Sequence, residues 1–313
     1  MEQYIKQFAN HAAYQAAESS LDKPNVSYCV SENEVHYTPF SYADEYLTFI
    51  ALESSTFKFK TENNNVISYS IDNGITWTQG KSVSVNNGDK VLWKGTMISS
   101  SSGIGKFSST GNFNVQGNIM SLLFGDNYKG QTDLTGKNYA FYELFRDNKK
   151  VVNAENLLLP AETLTQYCYG VMFYGCTGLV TAPKLPATTL AQACYHSMFG
   201  GCTNLETTPE LPATTLADYC YVNMFNSCTS LTTAPELPAT TLTTCCYNGI
   251  FRNCTNLNYI KAMFTTTPSS TYTSNWVSGV SASGTFVKNS AAQWDVSGVN
   301  GVPSGWTVQT AIS

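Results

Sequence analysis

The sequence predicts a multi-domain chain, β-rich in its first half and an α/β solenoid beyond it. Three observations predict this. Four near-identical blocks of 26 residues begin at Leu159, Leu185, Leu211 and Leu237; apolar and polar residues alternate through 46–130; and the first twenty residues carry an apolar stripe at helical spacing. Self-similarity at a period of roughly 20 to 50 residues means a stacked array, because a single block cannot bury its apolar face alone. The expected division is 1–45, an N-terminal helix and extended anchor; 46–130, a β-sandwich; 131–265, the solenoid of 26-residue repeats; and 266–313, a C-terminal capping region.

In the N-terminal segment Ile5, Phe8, Ala12 and Ala16 share one face of an amphipathic helix. Residues 21–45 show no sustained periodicity, and Pro24 and Pro39 favour extended chain. Val26, Tyr28, Val35 and Tyr37 make this strap more apolar than a solvated linker, so with Ile5 and Phe8 they are the candidate anchor residues. The first residues lack the apolar core of a secretion signal. No apolar run approaches the ~20 residues of a membrane helix.

Between 46 and 130, alternation is plain in Phe57–Lys60, Val66–Ile71 and Lys81–Val85, with turns at Asp72-Asn-Gly74 and Asn86-Asn-Gly-Asp89. Six or seven short strands suit a small sandwich, with Trp77 and Trp93 in its core; a carbohydrate platform is the alternative use of these rings. The phrase Ser70-Ile-Asp-Asn-Gly-Ile-Thr-Trp77 resembles the Asp-box hairpin of sialidases and of many non-enzymes. It occurs once, and sialidases hold the substrate carboxylate with three arginines, whereas this chain has only Arg146 and Arg252. The box therefore reads as a folding device, in which Asp72 bonds the turn and Gly74 supplies a positive φ.

Each repeat divides into two halves. In the third, Leu216, Cys220, Met224 and Cys228 are spaced by four, with Tyr221 and Phe225 beside them, which predicts one buried face of a helix capped by Thr214 or Thr215. Leu231-Thr-Thr-Ala predicts a brief strand that ends before Pro235. Across the copies this inner set hardly changes. Variation concentrates at 167, 170, 171 and 174 and their equivalents, the opposite face of the predicted helix. That face is either a solvated surface free to drift or a surface that reads a target. In the second case its candidate residues are Tyr167, Tyr174, His196, Tyr219, Asn223, Asn226, Asn248 and Arg252. Residues 134–158 form a worn first repeat, with Tyr142, Phe145 and Val151 matched to Tyr169, Phe173 and Leu179 and Asn148 in place of a cysteine. Beyond Leu257 the pattern dissolves, as a terminal cap requires.

Eight of the ten cysteines fall in two columns, Cys168, Cys194, Cys220, Cys246 and Cys176, Cys202, Cys228, Cys254; Cys29 and Cys245 stand apart. Equivalent residues in stacked coils project in parallel, so the columns read as reduced thiols packed as small hydrophobes. No zinc-type spacing occurs and the three histidines are scattered, so no metal or other cofactor is expected. Formal net charge is −5, and the longest cationic run is Lys149-Lys150, which argues against nucleic acid. Hydrolase, metalloprotease and phosphate-loop motifs are missing, and Cys194 and His196, two apart on a predicted helix, do not face one another. The chain reads as a non-enzyme.

The phrases LPATTLA, MF-x-x-CT-x-L and TAPELP resemble the BspA-like leucine-rich-repeat family of gut Bacteroidales over roughly 134–265, and the tail from Asn275 looks like the ending such proteins carry. The phrase from Phe8 to Tyr37 resembles the leader of virion proteins of Bacteroides phages, crAss-like ones included. The first resemblance implies strand–helix coils, adhesion to protein or glycan, and no catalytic residues. The second implies attachment to other virion proteins, in a homo-oligomer with a trimer favoured. Together they make the expected function that of a non-enzymatic virion protein, a fibre or a capsid or tail decoration, with a bacterial cell-surface adhesin as the alternative. A virion protein assembles in the host cytoplasm and needs no export signal.

Overall fold

The computed structural model describes residues 26–30, 35–39, 44–61, 65–98, 101 and 103–311. It is β-rich. Among the described residues the single α-helix, α1, spans only Ser121–Phe124 and runs into a 3-10 turn at Gly125–Asn127. The predicted combination of helix, strap and strand–helix solenoid with a cap is therefore corrected: no repeat contains a helix, and the coils do not form a leucine-rich-repeat solenoid. The N-terminal helix, with Ile5 and Phe8, lies outside the described residues. The strap is not wholly extended, because β1 (Val26–Val30) pairs antiparallel with β2 (Val35–Pro39), placing Tyr28 opposite Tyr37.

Two sheets face each other through residues 47–118. One has the order β10 (Phe113–Asn118), β3 (Leu47–Ala51), β8 (Lys90–Gly95), β5 (Ile67–Ser70), β6 (Thr78–Gln79); the other has the order β7 (Ser82–Val85), β4 (Ser55–Lys60), β9 (Lys106–Ser109). Alternation drives this pairing, since β4 reads buried at Ser55, Phe57 and Phe59 and outward at Lys58 and Lys60. Phe49 touches Phe57 and Phe107 across the sandwich at 5.3 and 4.8 Å between ring centroids. Trp93 lies in this core, but Trp77 does not: it is half-buried at the sheet edge, beneath the Lys94 ammonium at 4.1 Å.

The repeats grow directly from the sandwich. β10 also pairs in parallel with β11 (Val151–Asn153) and β12 (Leu157–Leu158). The parallel column continues through single bridges at Asn153–Thr181, Thr181–Thr207 and Thr233–Tyr259 into β13 (Tyr259–Ala262), β14 (Thr285–Lys288) and β15 (Thr307–Thr310). The predicted strand at Leu231–Ala234 is reduced to such a bridge.

Where a helix was expected, the chain makes consecutive tight turns. In the fourth coil the N–H groups of Cys220, Val222, Met224, Asn226 and Cys228 each donate to the carbonyl three residues back. The alternate N–H groups, of Tyr219, Tyr221, Asn223, Phe225 and Ser227, donate to Thr244, Cys246, Asn248, Ile250 and Arg252 in the next coil. Half the amides thus close turns and half join coils, so this buried backbone is satisfied without a helix. Every fourth residue takes positive φ: Tyr219, Asn223 and Ser227 here, Tyr167, Val171 and Gly175 two coils earlier. The strict four-residue spacing follows from this. In an α-helix, residues four apart drift by about 40° per step; here they return to the same face, and Cys220, Tyr221, Met224 and Phe225 are all buried.

Buried side chains form continuous files. Tyr169, Tyr195, Tyr221 and Tyr247 stack at 5.8 to 6.0 Å, and Phe145, Phe173, Phe199, Phe225 and Phe251 at 5.1 to 6.0 Å. The worn first repeat joins both files, but Phe141 rather than Tyr142 lies over Tyr169, at 5.6 Å. The repeat pattern also outlasts Leu257. The N–H groups of Tyr247, Gly249 and Phe251 bond the carbonyls of Tyr272, Ser274 and Trp276 in one further turn run. Trp276, Trp294 and Trp306 then close the stack, their indole N–H groups bonded to Gly301, Phe264 and Ser281 carbonyls.

Candidate recognition surface

The outward side of the turns carries the candidate residues. Positions 167 and 171 vary between copies and adopt positive φ, while 170 and 174 each precede a positive-φ residue, so the variable set belongs to a turn run and not to a helix face. Gly170, Val171, Ala193, Ser197, Gly200 and Gly249 of this set are buried, and the others are half-buried or exposed. Tyr174 and Tyr219 are 40% and 39% exposed; Tyr167, His196, Asn223, Asn226 and Asn248 are half-buried, and Arg252 is exposed.

The structure brings together Tyr167 and His196, sets Tyr174 beside Arg146, and adds residues of the first coil that the sequence reading passed over. The Tyr139 ring lies parallel to Tyr167 at 5.0 Å and 5°. Tyr142 stands edge-on to both, at 5.4 and 6.1 Å. His196 meets Tyr167 at 5.8 Å. The Arg146 guanidinium lies 5.6 Å from the Tyr174 ring and pairs with Glu143 and Asp147. Glycine makes room for these rings: Gly170 lies under Tyr142, and Gly200 under Tyr174, where an added Cβ would sit 3.0 to 3.3 Å from ring carbons. A signal for Tyr139 and Tyr142 was present, since continuing the variable column into the first repeat with a step of 28 residues lands on 139, 142, 143 and 146. Asn226, Asn248 and Arg252 lie on the fourth and fifth coils and make no ring contact with this group. Asn248 instead accepts the Ser274 N–H at 2.7 Å. The anchor candidates Val26, Tyr28, Val35 and Tyr37 occupy the β1–β2 pair.

Electrostatics give this surface little reactive character. Burial lowers the pKa of His196, whose Nδ1 finds no hydrogen-bond partner among the described residues. Burial also pushes the column thiols up, Cys168 and Cys254 to about 12 and Cys246 to about 11, so they remain protonated and un-nucleophilic. All nine described cysteines are free thiols. Among the described residues no three metal-ligating side chains cluster, and no helix is long and apolar enough to cross a membrane.

No family model, curated protein or solved structure matches this chain. Two further concavities lie at the proline corner of the coils: one of about 320 Å³ with Glu210, Glu236 and Pro235 in its lining, and one of about 510 Å³ with Pro160 and Pro186. Lys261 already pairs with Glu236 at 3.0 Å. Neither holds a buried polar group aimed into it.

Proposed function

We propose that this chain is a non-enzymatic adhesion protein of a phage virion, a fibre or a capsid or tail decoration. Residues 1–45 join it to other virion proteins, and the outward face of the stacked turns meets a protein or glycan on the host surface. The observation that carries the adhesive part is the contrast between the two faces: invariant rings and thiols are sealed inside, while tyrosines held over glycines stand outside where no packing requires them. Thiols held protonated by burial favour binding over thiol catalysis. The virion part is supported by the likeness of the segment from Phe8 to Tyr37 to phage leaders, and homo-oligomerisation, a trimer for preference, follows from it.

Two measurements test this. Fluorescently labelled full-length protein should decorate host cells, and unlabelled protein should compete it away; cells left undecorated refute adhesion. Particles assembled with a chain lacking residues 1–40 should carry none of it under antibody-labelled electron microscopy, and incorporation at the wild-type level refutes the anchor.

A further inference from the structure

The reading above leaves the ligand class open, and the inference here rests on it. We propose that the tyrosine face of the first four coils binds neutral carbohydrate through the exposed rings of Tyr174 and Tyr219 and the Tyr139–Tyr142–Tyr167 cluster.

Burying a large aromatic ring is worth a few kcal/mol, and the files of Tyr195 and Phe199 show that this fold buries such rings readily. Tyr174 and Tyr219 are nonetheless held in water. Tyr174 is not loose: it lies on Gly200 with the Arg146 guanidinium near its ring, and the half-buried Tyr142 lies on Gly170. A ring with two torsions, already fixed, offers contact area at little entropic cost.

Besides the Arg146 ion-pair group, the polar side chains nearest Tyr167 are uncharged. Gln166 donates to Gln192 at 2.9 Å, and the His196 Nδ1 has no partner among the described residues. Around Arg146 the formal charges cancel, since Arg146 is held by Glu143 and Asp147 and Lys106 reaches Asp147 at 3.3 Å. Asp218 keeps its negative charge while accepting the Thr244 N–H at 3.0 Å. A phosphate-bearing ligand would meet no free cationic groove here. An amphipathic helix would need an aliphatic groove, yet on this side Val171 is buried and Val222, two coils away, is only half-buried, so the two make no continuous aliphatic groove. A pyranose fits both demands. Its C–H face packs on aromatic carbon, and its hydroxyl rim bonds neutral amides, imidazole and phenol.

The test is saturation-transfer NMR on the full chain with the methyl glycosides of glucose, galactose, mannose and N-acetylglucosamine. At least one glycoside should receive saturation. Tyr174→Ala and Tyr219→Ala together should weaken that binding about tenfold or more, a loss of about 1.4 kcal/mol, while the paired Phe variants retain it and all variants melt with the wild type. If none of the four receives saturation, or the paired Ala variant binds as the wild type does, the proposal is overturned. An Ala variant that still decorates host cells overturns the carbohydrate site and leaves adhesion standing, whereas a wild-type chain that decorates none overturns adhesion itself.

Discussion

Asn148 gives Phe107 the hydrogen bond that Cys176 gives Phe145. The Asn148 Nδ2 donates to the Phe107 carbonyl at 3.2 Å, and the Cys176 thiol donates to the Phe145 carbonyl at 2.9 Å. The pattern repeats along the stack, with Cys202 on Phe173, Cys228 on Phe199 and Cys254 on Phe225 at 3.0 to 3.1 Å. The Phe107 ring, from sandwich strand β9, also stacks on Phe145 at 5.8 Å and 22°. The sandwich thus presents its own phenylalanine as the first rung of the ladder, and the residue facing it is the one place where an amide replaces the thiol. Asn148→Ala removes the donor from a buried carbonyl and should cost about 1–3 kcal/mol. Asn148→Cys restores a donor of the kind used in the next four coils and should recover most of that loss in a denaturant melt. Equal losses in the two variants would show that the rung is unimportant.

The column thiols supply the second prediction. Burial raises their pKa values, and all eight are fully covered. An aromatic disulfide titrated into native protein should therefore report at most Cys245 and Cys29, and the other eight only after guanidinium is added. Reductant should leave the melting temperature unchanged. Rapid native labelling of more than two thiols would contradict the packing.

The period, the buried set and the two thiol files were legible because each copy repeats them at one spacing. The backbone path was not. Leu216, Cys220, Met224 and Cys228 are four apart, which one helical face and a run of four-residue turns produce alike over so short a stretch. The discriminating signal was the recurrence of Gly, Asn, Asp and Ser at Asp147, Gly175, Gly201, Ser227, Asn253 and Gly279, residues that tolerate the left-handed region. The extra rings of the recognition face were hidden by register. Matching Tyr142 to Tyr169 by residue type placed it inside, whereas Phe141 fills that file and turns Tyr142 outward. Nor did the segment Phe113–Asn118 announce that one strand would close a sandwich on one side and start a parallel column on the other.

The Asp-box turn gives an acid-side prediction. Asp72 accepts bonds from the Ser70 hydroxyl at 2.7 Å, the Thr76 N–H at 2.9 Å and the Thr76 hydroxyl at 2.6 Å. These bonds, those from Thr76 foremost, hold the carboxyl down to about 2. A carboxylate depressed on folding stabilises the native state above its ordinary pKa of 3.8, and the contribution fades as pH falls from there to about 2. A carbon-detected NMR titration should place the Asp72 midpoint near 2, and Asp72→Asn should lower the melting temperature at neutral pH while flattening its fall between those limits. A midpoint at the ordinary value would mean the turn bonds do not persist in solution.

His196 acts in a higher window, for the opposite reason. Its pKa is lowered from 6.5 chiefly by burial beside Tyr167, so the folded chain favours the neutral ring. The unfolded chain, with an ordinary histidine, takes up the proton first as acid is added. Stability from keeping this ring neutral is therefore complete above about 6.5 and is lost as pH falls through the interval down to the folded-state value. His196→Asn keeps a side chain of similar polarity without the titration. The wild type should melt lower at about pH 5 than at about pH 7.5, the interval in which histidine titrates, and the Asn variant should lose a clear part of that difference. Calorimetric melts at the two pH values check this. Identical slopes for the two proteins would mean that His196 is solvated in the folded state, so that its Nδ1 already has water as a partner and is not held free for a ligand.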